Sequence, residues 1–342
     1  MNKMDFYQVH LDRVSRSFAF CIKQLRAPLR SWVSLTYLIC RILDTLEDAP
    51  WLHKQQQFEM FGEFEKSLIS PANSGLFSLK VLTLPDGISS GEKKLIKDSQ
   101  MILSDLHNTP HKPKEIIQNM VRSMSLGMQF FLQKQEDGGL RLRSLSELNQ
   151  YCFFVAGVVG EALSQLVSSV DDNFKLKRDL IIKSFHFGLF LQKINILKDQ
   201  REDENEGRYF VPDRLQVYQS LVKNADNSFE YICEIPDQHQ DYKLFCLWSF
   251  FLGMVSVSHI EKGTKISRIE TWKLLDTIKQ KQMDKRYLED LYKKMRRNLE
   301  SVCESFEGGR LSEDIGEKNM SFLECYVGRL SQDELRDLGL IA

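Results

Sequence analysis

DLIIKSFHFGLFLQKINILKDQRED, residues 179–203, keeps apolar side chains at helical spacing for most of its length and then turns acidic. Asn195, Asp199 and Asp203 fall in successive turns, so three oxygen donors leave one face, with Gln192 just upstream. The helical period holds almost everywhere else, and no run of strict alternation demands a sheet. Prolines are absent from 114–211 and from 237–342, which favours long helices. The reading is all-α, with helices predicted over 4–23, 28–48, 54–70, 91–106, 114–135, 144–170, 179–203, 242–259, 269–304 and 312–328. Ser144 with Glu147 fits a capping box at the start of the sixth. Breakers such as Pro71, Asn73 and Gly75 separate the helices, and none is long enough to be an interdomain linker.

A second acidic cluster, Asp44-Thr45-Leu46-Glu47-Asp48, closes an apolar segment that begins near Trp32. Asp44 and Asp48 are one turn apart, and Arg41 and Tyr37 precede them on nearly the same face. Acidic pairs at this spacing usually decorate a solvated face. Here each cluster interrupts an apolar helix, where a buried carboxylate without a compensating cation is costly. Hard divalent cations such as Mg²⁺ take oxygen ligands and commonly bridge a few carboxylates to substrate phosphates. Two such faces opposed across a cleft would grip a diphosphate.

Composition excludes several alternatives. The 342 residues are 42% hydrophobic and 27% charged, which marks a globular chain. With 46 basic against 47 acidic side chains the net charge is -1, so nothing in bulk favours nucleic acid or a polybasic anchor. Seven widely spaced cysteines (Cys21, Cys40, Cys152, Cys233, Cys246, Cys303, Cys325) read as reduced core residues of a cytoplasmic protein. No secretory signal or tail anchor is expected, and the uncharged stretch 244–260 reads as a core helix just short of a bilayer span. A P-loop, a His-Glu-x-x-His zinc motif and a nucleophile elbow are all missing. So is a dinucleotide-binding glycine motif following a predicted strand.

Three blocks carry a resemblance. They are Ser15-Arg16-Ser17-Phe18 with Tyr37, Arg41 and 44–48; Tyr151-Cys152-Phe153-Phe154-Val155-Ala156-Gly157-Val158-Val159-Gly160; and Gly188-Leu189-Phe190-Leu191-Gln192-Lys193-Ile194-Asn195 through Asp203 to Gly207-Arg208-Tyr209-Phe210-Val211-Pro212. In this order they resemble the squalene and phytoene synthases, squalene synthases above all. The resemblance implies one isoprenoid-synthase domain over 1–342, an all-α bundle around a central cavity. Its motifs span 15–212, and the helices of 240–336 complete it. It also implies a monomeric, Mg²⁺-dependent prenyltransferase that condenses two farnesyl diphosphates through presqualene diphosphate and reduces the product to squalene with NADPH.

Carried over by position, Asp44, Asp48, Asn195, Asp199 and Asp203 would bind Mg²⁺. Arg41, Gln192, Lys198 and Arg208 would contact diphosphate. Ser15, Ser17, Phe18 and Tyr37 would line the substrate site, and Tyr151 would sit beside the reacting carbons. Phe245 would border the second-step pocket. There, Phe245-Cys246-Leu247-Trp248-Ser249-Phe250 keeps Phe-Cys but has Ser and Phe where squalene synthases carry Pro and Gln. Presqualene diphosphate, dehydrosqualene and phytoene therefore stay open as products, as does a non-catalytic assembly factor of the same fold. An apolar C30 product also implies peripheral contact with a membrane.

Overall fold

Sixteen α-helices make up most of the described chain in the computed structural model, which describes residues 2–136, 139–171, 174–306 and 329–341. The chain divides into two compact units, Met1–Leu132 with Ala162–Lys175, and Gln133–Glu161 with Leu176–Ala342. The first holds α1 (Lys3–Val14), α2 (Arg16–Ile22), α3 (Leu29–Asp48), α4 (Lys54–Ile69), α5 (Pro71–Lys80), α6 (Ser90–Lys97), α7 (Ser99–His107) and most of α8 (His111–Lys134). The second holds α9 (Leu145–Cys152), the start of α10 (Val158–Ser168), α11 (Arg178–Asn205), α12 (Arg214–Glu234), α13 (Gln240–Glu261), α14 (Arg268–Lys281), α15 (Lys285–Glu304) and α16 (Gln332–Asp337).

The core of the first unit gathers Tyr7, Phe61, Phe64 and Phe77 without exposed surface, and α3 adds Leu38, Ile39, Ile42, Leu43 and Leu46 from one face. That stripe sets the opposite face of α3, with Tyr37, Arg41, Asp44 and Asp48, away from the core. In the second unit α11 is buried through most of its length, from Leu180 to Leu197. Glycine makes this packing possible: a Cβ on Gly160 would stand 2.0 Å from the Ser184 carbonyl oxygen, and one on Gly188 would stand 2.2 Å from that of Ala156. The close approach at Gly160 is therefore a backbone contact between α10 and α11.

Several expected elements differ. The helix over 4–23 breaks at Ser15, whose extended backbone (φ -162°) starts α2. The helix over 91–106 divides at Asp98, and that over 269–304 at a turn before Lys285. Pro71, read as a breaker, opens α5, because proline at the first helical position gives up only an N–H that would be unpaired anyway. Helix α12 was not expected at all, and 312–328 lies outside the described residues, as does Cys325.

At Ser144 the hydroxyl caps the Glu147 N–H as predicted, but the Glu147 carboxylate takes the Arg143 N–H instead of closing the box. After Cys152 the backbone widens to a π-helix over Phe153–Gly157. A parallel pair of two-residue strands, β1 (Leu140–Arg141) and β2 (Arg208–Tyr209), also went unread, since two residues show no alternation. Gly139 (φ 92°) and Gly207 (φ 77°) let those backbones meet: a Cβ on Gly139 would fall 1.9 Å from the Gly207 oxygen.

Cys21, Cys40, Cys152 and Cys246 are buried free thiols as expected, whereas Cys233 is exposed and Cys303 half-buried. Contrary to the expectation of no span, three helical stretches are long and apolar enough to cross a membrane, Leu145–Ser168, Arg178–Asn205 and Asp237–Glu261. Counting only uncharged runs missed the first two, while the third contains the 244–260 run read as a core helix. Their most apolar windows are 72, 72 and 61% buried inside the protein.

Candidate active site

In the first unit, α3 presents Tyr37, Arg41, Asp44 and Asp48 in order along its outer face. Phe18, from α2, lies 5.7 Å from the Tyr37 ring. Burial raises the Tyr37 phenol, opposed by its hydrogen bond with Ser15 and by the charge of Arg41. Ser15, Phe18, Tyr37 and Arg41 are thus one connected group, while Ser17 is exposed. Arg41 lies 3.8 Å from Asp44, but its strong partner is Glu92, 2.6 Å from Nη2. Its Nε is buried without a hydrogen-bond partner. Glu92 is held in turn by a capping box with Ser89 at the start of α6.

Asp44 is pushed up to about 7, first by desolvation, with Arg41 pulling it back and Asp48 and Glu92 adding repulsion. A carboxyl so placed is short of positive charge. That is the donor chemistry a hard cation satisfies.

In the second unit, Asn195, Asp199 and Asp203 line one side of α11 below the half-buried Gln192. Here the cations are already engaged. Lys198 reaches Asp199 at 3.1 Å and the Asn195 amide oxygen at 3.4 Å. Arg208, fixed in β2, donates to Asp203 from Nη2 at 2.9 Å and from Nε at 3.2 Å, and also meets Glu206 at 2.7 Å. Two residues on, Phe210 stacks on Tyr151 with centroids 4.8 Å apart and ring planes at 27°. Tyr151, 6% exposed at the end of α9 beside the π-helix, is thereby joined through one short segment to Arg208 and Asp203. π-Helical turns recur at functional sites. Phe245 belongs to a different group, buried on α13 beside Tyr242 at 6.0 Å.

Among the described residues no three His, Cys, Asp or Glu side chains form a group able to hold a metal ion. The donor set still suits Mg²⁺, which keeps several waters and takes one or two carboxylates with substrate phosphates. Two residues that matter here were not picked out from the sequence. Glu92 carried a readable signal, Ser89 three residues before it, but nothing that linked it to Arg41. Phe210 stood inside a quoted block without a role.

The chain belongs to the squalene/phytoene synthase family, which its residues 11–226 match. Among curated relatives, the squalene synthase of Mycosarcoma maydis is 34% identical over 59% of this chain and 34% of its own length. That of Schizosaccharomyces pombe is 30% identical over 70% and 49%, and that of Homo sapiens 31% over 63% and 47%. The chain thus spans between a third and half of these relatives. The fold is that of a ligand complex of TcSQS, with TM-score 0.69, 20% identity and 98% of both chains covered. It is shared with a dehydrosqualene synthase in complex with ligand, with TM-score 0.57, 19% identity and 82 and 97% covered.

Proposed function

We propose that this chain is a squalene synthase: it joins two farnesyl diphosphates through presqualene diphosphate and reduces the product to squalene with NADPH. The observation that supports it most is the first acidic face, where the half-buried Asp44, raised by desolvation and by its neighbours Asp48 and Glu92, stands beside a guanidinium whose Nε has no partner. An anion carrying its own cation would satisfy both. Asp44 and Asp48 on α3, and Asn195, Asp199 and Asp203 on α11, are proposed to take Mg²⁺ with the substrate's diphosphate. Mg²⁺ bound there would neutralise the diphosphate as it departs.

Arg41 would turn from Glu92 toward the diphosphate, and Arg208 would do the same from Asp203. Gln192 and Lys198 would add donors, and Ser15, Ser17, Phe18 and Tyr37 would seat the prenyl chain. Tyr151 and Phe210 would offer their ring faces to the allylic cation and keep water from it. The C2=C3 bond of the second farnesyl group then attacks the cation, and loss of a proton closes the cyclopropane. A second ionisation and rearrangement follow beside Phe245. NADPH would supply the hydride that ends the sequence, and none of the residues named here is assigned to its binding.

The two units are proposed to work as one catalytic domain, as a cytoplasmic monomer in peripheral contact with a membrane. Release without reduction is the second reading, because Ser249, which bonds back to the Phe245 carbonyl at 3.0 Å, and Phe250, packed on Phe190, stand where squalene synthases carry Pro and Gln. Product extraction after incubation with farnesyl diphosphate, with and without NADPH, tests both. A non-catalytic assembly factor would need neither acidic face intact.

A further inference from the structure

Residues 262–286 hold eight basic and three acidic side chains, a net +5 in a chain whose total is -1, so the rest of the protein is distinctly acidic. Within this segment α14 is anchored by buried Leu275 and Ile278, and by the Trp248 indole N–H, which donates to the Leu275 carbonyl at 2.9 Å. That fixes the outward face. On it Ile269 and Trp272, one turn apart, are 68 and 64% exposed. The three acids are engaged locally: Glu270 in a capping box with Ser267, Asp276 with the Gln280 amide at 2.8 Å, and Asp284 with Lys281 at 3.8 Å. Lys262, Lys265, Arg268 and Lys273 are exposed and make no ion pair among the described residues.

We infer that this face of α14 docks on an anionic lipid surface. A tryptophan and an isoleucine exposed in one short segment with exposed cations match the layer where acyl chains meet charged headgroups, since each kind of side chain finds its partner there. Nucleic acid would satisfy the cations and leave Ile269 in water. The inference names the surface for the membrane contact proposed above and rests on that reading. Docking here would bring the protein to the phase in which an apolar C30 product dissolves.

The test is cosedimentation of the full chain with phosphatidylcholine vesicles, with and without phosphatidylglycerol. Binding is expected only with the anionic lipid, and high salt should weaken it. The double variants Ile269→Ser/Trp272→Ala and Lys265→Glu/Lys273→Glu should each bind at least about tenfold more weakly. Both should keep wild-type turnover of detergent-dispersed farnesyl diphosphate, since neither touches the acidic faces. Equal binding to neutral vesicles, unchanged binding by both variants, or self-association through this face that the first variant abolishes would overturn the inference. Vesicle binding by a protein that turns over no farnesyl diphosphate would instead count against the proposed function and leave this face standing.

Discussion

His186 and Asp337 meet through Nε2 and Oδ2 at 3.0 Å, with no part of the histidine exposed, and this contact ties α16 to α11. The proton on that bond can be placed. Lys193 Nζ donates to Asn224 Oδ1 at 2.7 Å, while burial lowers its ammonium to about 8. The other end of the amide, Nδ2, therefore donates to His186 Nδ1 at 2.9 Å, and Nε2 carries the hydrogen given to Asp337. Lys223 completes the group at 2.9 Å from Asp337, and Arg178 holds Glu334 at 2.5 Å.

From this follows an acid sensitivity. The hydrogen bond from His186 holds Asp337 well below the usual carboxylate range, helped by Lys223, while the bond from Arg178 holds Glu334 at about 2. Both acids bind protons more readily unfolded than folded, so their stabilisation is complete above pH 4.5 and fades as pH falls toward about 2. Desolvation lowers His186 below 6.5, which also weakens the fold in acid. Denaturant titrations from pH 7 to pH 3 should show falling stability, and Asp337→Asn should flatten the slope.

Close approach of α10 and α11 gives a second expectation. Gly160→Ala would push a methyl group into the Ser184 carbonyl, and should cost about 1–3 kcal/mol in urea unfolding. Gly62→Ala, whose added Cβ would meet nothing within 4 Å, serves as the control and should be neutral or slightly stabilising.

The fold was legible because α3 and α11 are long: α3 carries a one-sided buried stripe, and α11 is apolar and buried through most of its length. What stayed hidden was local or distant. The π-helix at Phe153 and the two-residue strands are too short to leave a period. Ser15 breaks its helix by backbone geometry, in a sequence that reads as continuous helix. The bond between Arg41 and Glu92 spans 51 positions, and no spacing rule reaches that far. At the second acidic face the residue types were readable, but their present state was not. Lys198 and Arg208, expected as diphosphate contacts, are paired with the carboxylates beside them.

Glu92 yields a third expectation, because it holds the guanidinium that the proposal turns toward substrate. Glu92→Gln keeps a hydrogen-bond acceptor but removes the charge. Turnover should change by about tenfold or less, with KM moving more than kcat, as befits a positioning residue. A complete loss of activity with the fold retained would mean that Glu92 acts on the substrate directly.

The acidic faces give the fourth. Asp48→Ala and Asp199→Ala should each lower turnover at least about a hundredfold while circular dichroism and thermal unfolding stay near wild type. Removing Asp48 also relieves repulsion on Asp44, so the variant should fold at least as well as the parent. Excess chelator should mimic both variants, with activity restored by Mg²⁺.

The central claim is tested most directly by incubating the purified chain with farnesyl diphosphate and Mg²⁺, with and without NADPH, and identifying the extracted products by mass. Presqualene diphosphate should accumulate without NADPH and be converted to squalene when it is added. Intact farnesyl diphosphate under both conditions, from protein that is demonstrably folded, would contradict the account.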